Sequence, residues 1–191
     1  TSSLDPHQAD LIGVSLSSKI GKACYIPLGH KSQKNLNKEL VLKKLKPLLE
    51  DSSIKKIGQN IKFDFIVLFK HGITISTMED TMLMSYVLDA GKNRHNMDSL
   101  SEIHLNHKTI AFKDLVGTGK KEINFKDVDV EKAKDYAAED ADITFRLYKK
   151  FHKSLKDEKM VNIYELFEKP MIKILAFMEI EGIKIDNKFL K

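Results

Sequence analysis

Strand-like and helix-like segments alternate along the first 90 residues, and this order restricts the possible folds more than any other feature. Hydrophobic and polar residues alternate in residues 11–17 and again in residues 23–29, which predicts an antiparallel hairpin. Three helix-like stretches follow, at residues 36–51, 59–72 and 78–91. Two short strand-like stretches lie between them, at residues 54–58 and 73–76. Such alternation predicts an α/β layer fold.

Capping signals mark the ends of two of these helices. Asn60 is a suitable N-cap for the second helix, and Gly72 is a suitable stop. Thr77 can cap the third helix, with Asp80 as the acid of a capping box.

The second half of the chain is mainly helical by pattern. Residues 97–105 predict a short helix, and the long amphipathic stretch from Val130 to Lys156 predicts a longer one. Residues 109–128 show no strong period, which predicts a mobile connection. The last segment predicts a helix interrupted near Pro170.

The composition is that of one ordinary globular domain. The chain has 191 residues, 42% of them hydrophobic and 31% charged, and no apolar run approaches the length of a membrane-spanning helix. Its single cysteine, Cys24, suits a reducing compartment, so we expect a cytoplasmic, monomeric protein. The formal charge of +5 is a weak indication of a polyanionic partner, and a lysine-rich solvated surface explains it equally well.

Two carboxylates lie inside apolar helical patterns. Asp140 shares a helix face with Tyr136 and Leu147, and Asp64 lies in a helix that is nearly apolar all round. Burial of an unpaired carboxylate costs several kcal/mol, so each acid needs a partner or a solvated helix edge. A shared divalent cation such as Mg²⁺ would meet that need, because hard ions prefer oxygen ligands.

The residues around these acids resemble a known family. The stretches GQNIKFD, HKTIAF and YAAEDAD are similar to the second and third exonuclease motifs, N-x-x-x-D and Y-x-x-x-D, of the proofreading domain in bacterial DNA polymerase I. The resemblance continues through SYVL, RHNMDSLSE and the closing EKPMIKILAFMEIEGIKID.

The resemblance implies a ribonuclease-H-like exonuclease fold, a mixed sheet flanked by helices, whose first strand is truncated here. It implies removal of nucleotides from the 3′ end of single-stranded DNA with two Mg²⁺ or Mn²⁺ ions. Asp64 and Asp140 correspond to metal-binding acids, and Tyr136 corresponds to the tyrosine that orients the attacking water. Residues 1–158 would form the exonuclease domain, and residues 159–191 would form a helical connection into the polymerase portion of the same parent chain.

The resemblance also implies a set of contacts to the DNA strand. Leu4 and Phe112 would pack against the last bases. The substrate-side turn of the second motif would contain Gln59, Asn60 and Phe63. Arg94 would lie near the path of the strand. Core packing is the alternative role for the apolar members of this set, and an ordinary surface charge is the alternative for Arg94.

The chain departs from the family at its first motif. The family begins with D-x-E-T, and TSSLD resembles the text from that threonine onward, so the two acids would precede Thr1. Without them we expect weak metal binding and slow or absent cleavage. Excision from a longer polymerase and a degenerate first motif both explain the departure.

Two other functions compete with DNA proofreading. A ribonuclease D-type RNA exonuclease shares the fold and the third motif, but continues into helical RNA-binding domains. A non-catalytic module that holds frayed single-stranded DNA or braces the polymerase would need no metal between Asp64 and Asp140.

Overall fold

The computed structural model describes residues 1–31, 35–186 and 188–189 and confirms the α/β prediction. The strands are β1 (Gly13–Lys19), β2 (Lys22–Pro27), β3 (Lys56–Gly58) and β4 (Met78–Asp80). The first six helices are α1 (Lys38–Glu50), α2 (Ile61–Phe69), α3 (Thr81–Asp89), α4 (Met97–Leu105), α5 (Phe112–Val116) and α6 (Val130–Asp157). Two more, α7 (Val161–Ile163) and α8 (Lys169–Glu181), follow α6 and flank a π-helical turn (Tyr164–Glu168).

The first two strands form the predicted antiparallel hairpin. Val14 pairs with Ile26, and the chain reverses at Gly21, which has a φ of +75° that favours glycine. The backbone N–H of Gly21 donates to Asp142 Oδ1 of α6 at 2.6 Å. Arg146, one turn further along α6, lies 2.7 Å from the other oxygen of Asp142. This contact fixes the long helix across the hairpin.

The second sheet is a pair of parallel strands, and the sequence pattern predicted the second of them at the wrong residues. The predicted strand at residues 73–76 is wrong, because the strand that pairs with β3 is β4, with Gly58 opposite Asp80. Ile73 and Ile75 are buried, which explains the strand-like pattern. The backbone of this stretch instead bonds to the end of α1, where Ser76 N–H donates to the Leu49 carbonyl at 3.1 Å.

The caps of α2 and α3 also differ from the prediction. Asn60 makes no side-chain cap bond and adopts a left-handed conformation with a φ of +60°. Thr77 caps no helix, since its hydroxyl donates to the Ser52 carbonyl at 2.7 Å. Asp80 is itself the N-cap of α3, which begins at Thr81 rather than upstream.

Helix α6 packs against β1, β2, α3 and α4. Leu147 and Phe151 on its second half are fully buried with Tyr164. Ala133 on its first turns packs with Val116 and Phe125. Residues 109–128, which were predicted as a mobile connection, contain the short helix α5 and two 3-10 turns, Gly119–Lys121 and Phe125–Asp127.

The final segment has the predicted interruption. Pro170 lies in the first turn of α8, directly after the π-helical turn, and has no N–H to donate, which fits the change of helical hydrogen bonding at this point. Phe177 of α8 packs edge to face on Phe65 of α2 at 5.6 Å between ring centroids. Within the described residues, no helix combines the length and the hydrophobicity that a bilayer crossing requires.

Candidate active site

Asp64 is positioned by a buried acid that the sequence analysis had assigned another role. The carboxylate of Asp80, which is 1% exposed, accepts the backbone N–H groups of Asn60 at 3.1 Å and Ile61 at 2.9 Å. It also accepts the N–H of Met82 at 2.8 Å. One carboxylate therefore fixes the first turns of both α2 and α3, and Asp64 lies in that first turn of α2.

The surroundings of Asp64 make its charge costly. Desolvation by the surrounding protein is the main cause that raises its pKa to about 7, and the nearby Asp80 raises it further. The side chain is nevertheless exposed, so the carboxyl is open to a ligand even though dense protein lies around it.

Asp140 and Tyr136 form a hydrogen-bonded pair on one face of α6. Desolvation raises the pKa of Asp140 to about 7, the bond from Tyr136 lowers it, and the acids Asp98 and Glu139 raise it. Burial and the charge of Asp140 raise the pKa of Tyr136 far above its usual value. The phenol therefore stays protonated at neutral pH and can act only as a hydrogen-bonding group.

An aromatic cluster adjoins Tyr136. The ring of Phe112 lies 5.8 Å from Tyr136 and stacks on Phe125 at 6.0 Å between centroids. Phe125 is 8% exposed, whereas Phe112 is 44% exposed. The buried ring therefore supports a second ring that offers an open face beside Tyr136. Sequence reasoning missed Phe125, since it lies in a stretch without a period.

Glu139, next to Asp140, fixes the segment that leads to Phe112. One of its oxygens lies 2.8 Å from His107 Nε2, and the other accepts the backbone N–H of Ile110 at 2.6 Å. The Thr109 hydroxyl donates to Asp98 at 2.7 Å. These bonds tie α4, the following loop and α6 together around Asp140, and the sequence pattern gave no sign of them.

The first residues of the described chain contact the segment that carries Phe125. The side-chain amide of Asn124 donates to the Ser2 carbonyl at 2.8 Å, directly beside Phe125. The strongest charged neighbours of Asp64 and of Asp140 do not include the other acid. Within the described ranges no group of three or more His, Cys, Asp or Glu side chains could hold a metal, so a shared ion remains a prediction.

Gln59 bonds within the protein. Its amide donates to the His95 carbonyl at 2.8 Å and accepts the Thr81 hydroxyl at 2.5 Å. The Ser85 hydroxyl lies 2.9 Å from His95 Nδ1. Gln59 therefore connects the turn before α2 to the loop that carries Arg94.

The other residues of the predicted strand path vary in exposure. Leu4 is 95% exposed and Arg94 is also exposed, so both are available to a ligand. Phe63 is half-buried against the core around α2, and Asn60 is half-buried beside Asp80. Of the full set, Phe112, Tyr136 and Asp140 lie together, and Asn60 and Asp64 form a second group. DNA contact by any of them stays a prediction.

Comparison with known families identifies the type of domain. The family model described as 3′-5′ exonuclease, of the DNA polymerase A type, matches residues 1–156. The chain belongs to this 3′-5′ exonuclease family. It is thus an exonuclease domain of the DNA polymerase I type, and the resemblance seen in its motifs is confirmed.

Relatives and solved structures agree with this assignment. DNA polymerase I of Rhizobium leguminosarum is 41% identical over 211 residues, and that of Pseudomonas aeruginosa is 40% identical over 197 residues. Each match covers 100% of this chain and only 21% or 22% of the relative, so the chain spans about a fifth of these proteins.

The structure of Brucella melitensis NrnC superposes with a TM-score of 0.73 at 22% identity, over 95% of this chain and 82% of that one. A second structure of NrnC, with bound Mg²⁺, gives 0.69 at 24% identity, over 96% and 85%. These likenesses confirm the ribonuclease-H-like exonuclease fold.

Proposed function

We propose that this domain hydrolyses the 3′-terminal phosphodiester of single-stranded DNA and releases deoxynucleoside monophosphates, with Mg²⁺ or Mn²⁺ held by Asp64 and Asp140. One observation carries the proposal. Two acids that belong to the metal-binding motifs of the family both have a pKa raised to about 7. Sites that bind charged ligands are where such shifts concentrate.

The donor set fits a hard divalent cation. Both groups are carboxylates, and both are destabilised as anions by desolvation and by neighbouring acids. A divalent cation removes that cost, and oxygen ligands are what Mg²⁺ and Mn²⁺ prefer. When bound, two such ions supply charge for the phosphate oxygens and lower the pKa of a water.

The remaining residues would orient the substrate. The protonated hydroxyl of Tyr136, held against Asp140, would fix the position of a water near the phosphate. The open face of Phe112 would stack on the last base, and exposed Leu4 would pack on the next. Stacking needs no base identity, so cleavage would be indifferent to sequence.

The wider protein context belongs to the proposal as well. The relatives that the chain matches are DNA polymerase I proteins, and the chain spans about a fifth of them. We infer a role in DNA replication and repair. We infer that residues 159–191 lead into a polymerase portion and that the domain edits the primer end which that portion extends.

Trimming of RNA is the second candidate. NrnC bound to pGG shares the fold with a TM-score of 0.69 at 23% identity, over 96% of this chain and 84% of that one. Matched all-deoxy and all-ribo oligonucleotides of one sequence separate the two functions. Faster cleavage of the ribo strand would replace the DNA proposal with an RNA proposal.

The main test uses the chain extended upstream of Thr1 by a D-x-E motif, with a 5′-labelled single strand and Mn²⁺. We expect Asp64→Ala and Asp140→Ala each to lower the rate of cleavage by at least about a hundredfold. Loss of a direct metal ligand should cost at least as much activity as loss of a residue that only orients a ligand. Asp157→Asn is the control, since Asp157 lies at the exposed end of α6 and pairs with Lys153 at 2.8 Å. Full activity in either alanine variant would refute the proposed mechanism, and inactivity of the parent protein would favour a bracing role.

A further inference from the structure

A buried carboxylate outside the active site connects the body of the domain to the segment after α6. Glu79 is 1% exposed and precedes Asp80 at the end of β4. Its Oε1 lies 2.7 Å from Lys169 Nζ and 3.4 Å from Lys55 Nζ. Lys169 lies in the first turn of α8. A residue of the segment after α6 therefore helps to neutralise the buried charge of Glu79.

Tyr164 extends this contact to the neighbouring acid. Its hydroxyl, on a side chain that is 1% exposed, donates to Glu79 Oε2 at 3.0 Å. The same hydroxyl accepts the backbone N–H of Asp80 at 2.9 Å. Tyr164 therefore holds the backbone at the residue whose side chain caps both α2 and α3.

The bonds form a continuous path to the active site. They run from Lys169 through Glu79 and Tyr164 to Asp80, and from the Asp80 carboxylate to the N–H groups at the start of α2. We propose that Tyr164 is a positioning residue for Asp64, and that it couples the segment after α6 to the metal-binding turn of α2. This inference rests on the function proposed above.

The packing around this path supports the proposal. A cavity of about 210 Å³ lies between the starts of α2 and α3 and the side of α8, lined in part by Asn60, Asp80, Met171 and Ile172. Close packing is therefore incomplete on that side of Asp80. Removal of the Tyr164 hydroxyl beside this cavity would take away the acceptor of the Asp80 N–H, so that the pairing of Asp80 with Gly58 alone would hold the backbone on this side.

The test compares Tyr164→Phe with Tyr25→Phe in the intact protein in which this chain occurs. Tyr25 is the control because it is a partly buried tyrosine of the hairpin, and its hydroxyl lies 2.7 Å from His30 Nε2, away from Glu79 and Asp80. Hydrogen exchange at the amides of Asn60 and Ile61 reports directly on the bonds to Asp80. Free Mn²⁺, counted by electron paramagnetic resonance, reports on the metal-binding turn.

We expect Tyr164→Phe to speed exchange at those two amides by about tenfold and to weaken Mn²⁺ binding severalfold. It should lower kcat on a single-stranded oligonucleotide and leave KM unchanged, and Tyr25→Phe should change none of these. Lys169→Met should act in the same direction with a smaller effect, since Lys55 remains beside Glu79.

Wild-type exchange at Asn60 and Ile61 in Tyr164→Phe, together with wild-type Mn²⁺ binding, would overturn the inference. Equal acceleration over the whole of α2 by both tyrosine variants would also overturn it, because that result indicates general loosening. If the parent protein neither binds Mn²⁺ nor cleaves DNA, the proposed function fails. The exchange result then still decides whether Tyr164 fixes the start of α2.

Discussion

Replacement of Asp140 by asparagine should stabilise the metal-free protein, although it removes a residue that we assign to catalysis. In the folded state desolvation raises the pKa of Asp140 to about 7, from a usual value of 3.8. A carboxyl with a raised folded-state pKa binds more protons folded than unfolded. Stability is therefore lost as the pH rises from about 4 to about 7. Asparagine keeps an acceptor for the Tyr136 hydroxyl and carries no charge.

The size of the effect follows from the displacement of the pKa. A change of about three pH units corresponds to about 4 kcal/mol at most, since each unit is about 1.4 kcal/mol. The gain from Asp140→Asn should grow from about 1 kcal/mol at pH 4.5 to that limit above pH 7. Solvent screening reduces it, because the side chain is only half-buried.

Urea unfolding in EDTA at pH 4.5, 6 and 8 measures this prediction. Asp64→Asn should show the same sign with a smaller gain, because the Asp64 side chain is exposed to solvent, which screens its charge. Asp157→Asn, at an exposed position, should not show a gain that grows with pH. If Asp140→Asn is no more stable than the parent protein at pH 8, the carboxylate is not held at an energetic cost and the argument for a cation beside it fails.

Three further results are expected. Asp80→Ala should lower the free energy of unfolding by about 2–4 kcal/mol in thermal or urea unfolding, because one carboxylate caps two helices and each cap contributes about 1–2 kcal/mol; a loss below about 0.5 kcal/mol would contradict the double cap. Phe112→Ala should raise KM for a single strand roughly tenfold or more with little loss of stability, since its exposed ring is free to stack on a base; an unchanged KM would remove it from the strand path. Mn²⁺ binding should strengthen from pH 5.5 to pH 7.5 as Asp64 and Asp140 lose their protons, and binding that is flat over this range would show that neither acid is a ligand.

The sequence alone predicted the elements whose hydrophobic pattern repeats within one segment of the chain. The long helix from Val130 was predicted to within one residue and the hairpin to within two, because their helical period and alternation are set by burial along one element. The strand at 73–76 was wrong because burial of Ile73 and Ile75 imitates a strand. The Ile73 N–H donates to Leu68 of α2 and the Ser76 N–H donates to Leu49 of α1, and no sequence period predicts either bond.

The candidate site was predictable only in part, and for a similar reason. The motif acids stand out because each is a charge within an apolar pattern. The role of Asp80 was missed because it depends on β4 lying beside β3, which brings Asp80 next to Gly58 and the start of α2. Phe125 and Glu139 were missed because their contacts join segments that are distant in sequence.

The bond between Ser2 and Asn124 has a consequence for synthesis of the protein. It spans 122 residues, so it cannot form on the ribosome until Asn124 has emerged. Closure over such a distance carries a large entropic cost and delays folding. During translation α2 therefore emerges before Asn124 can reach Ser2, so the contact that joins the first residues to the segment before α6 forms late.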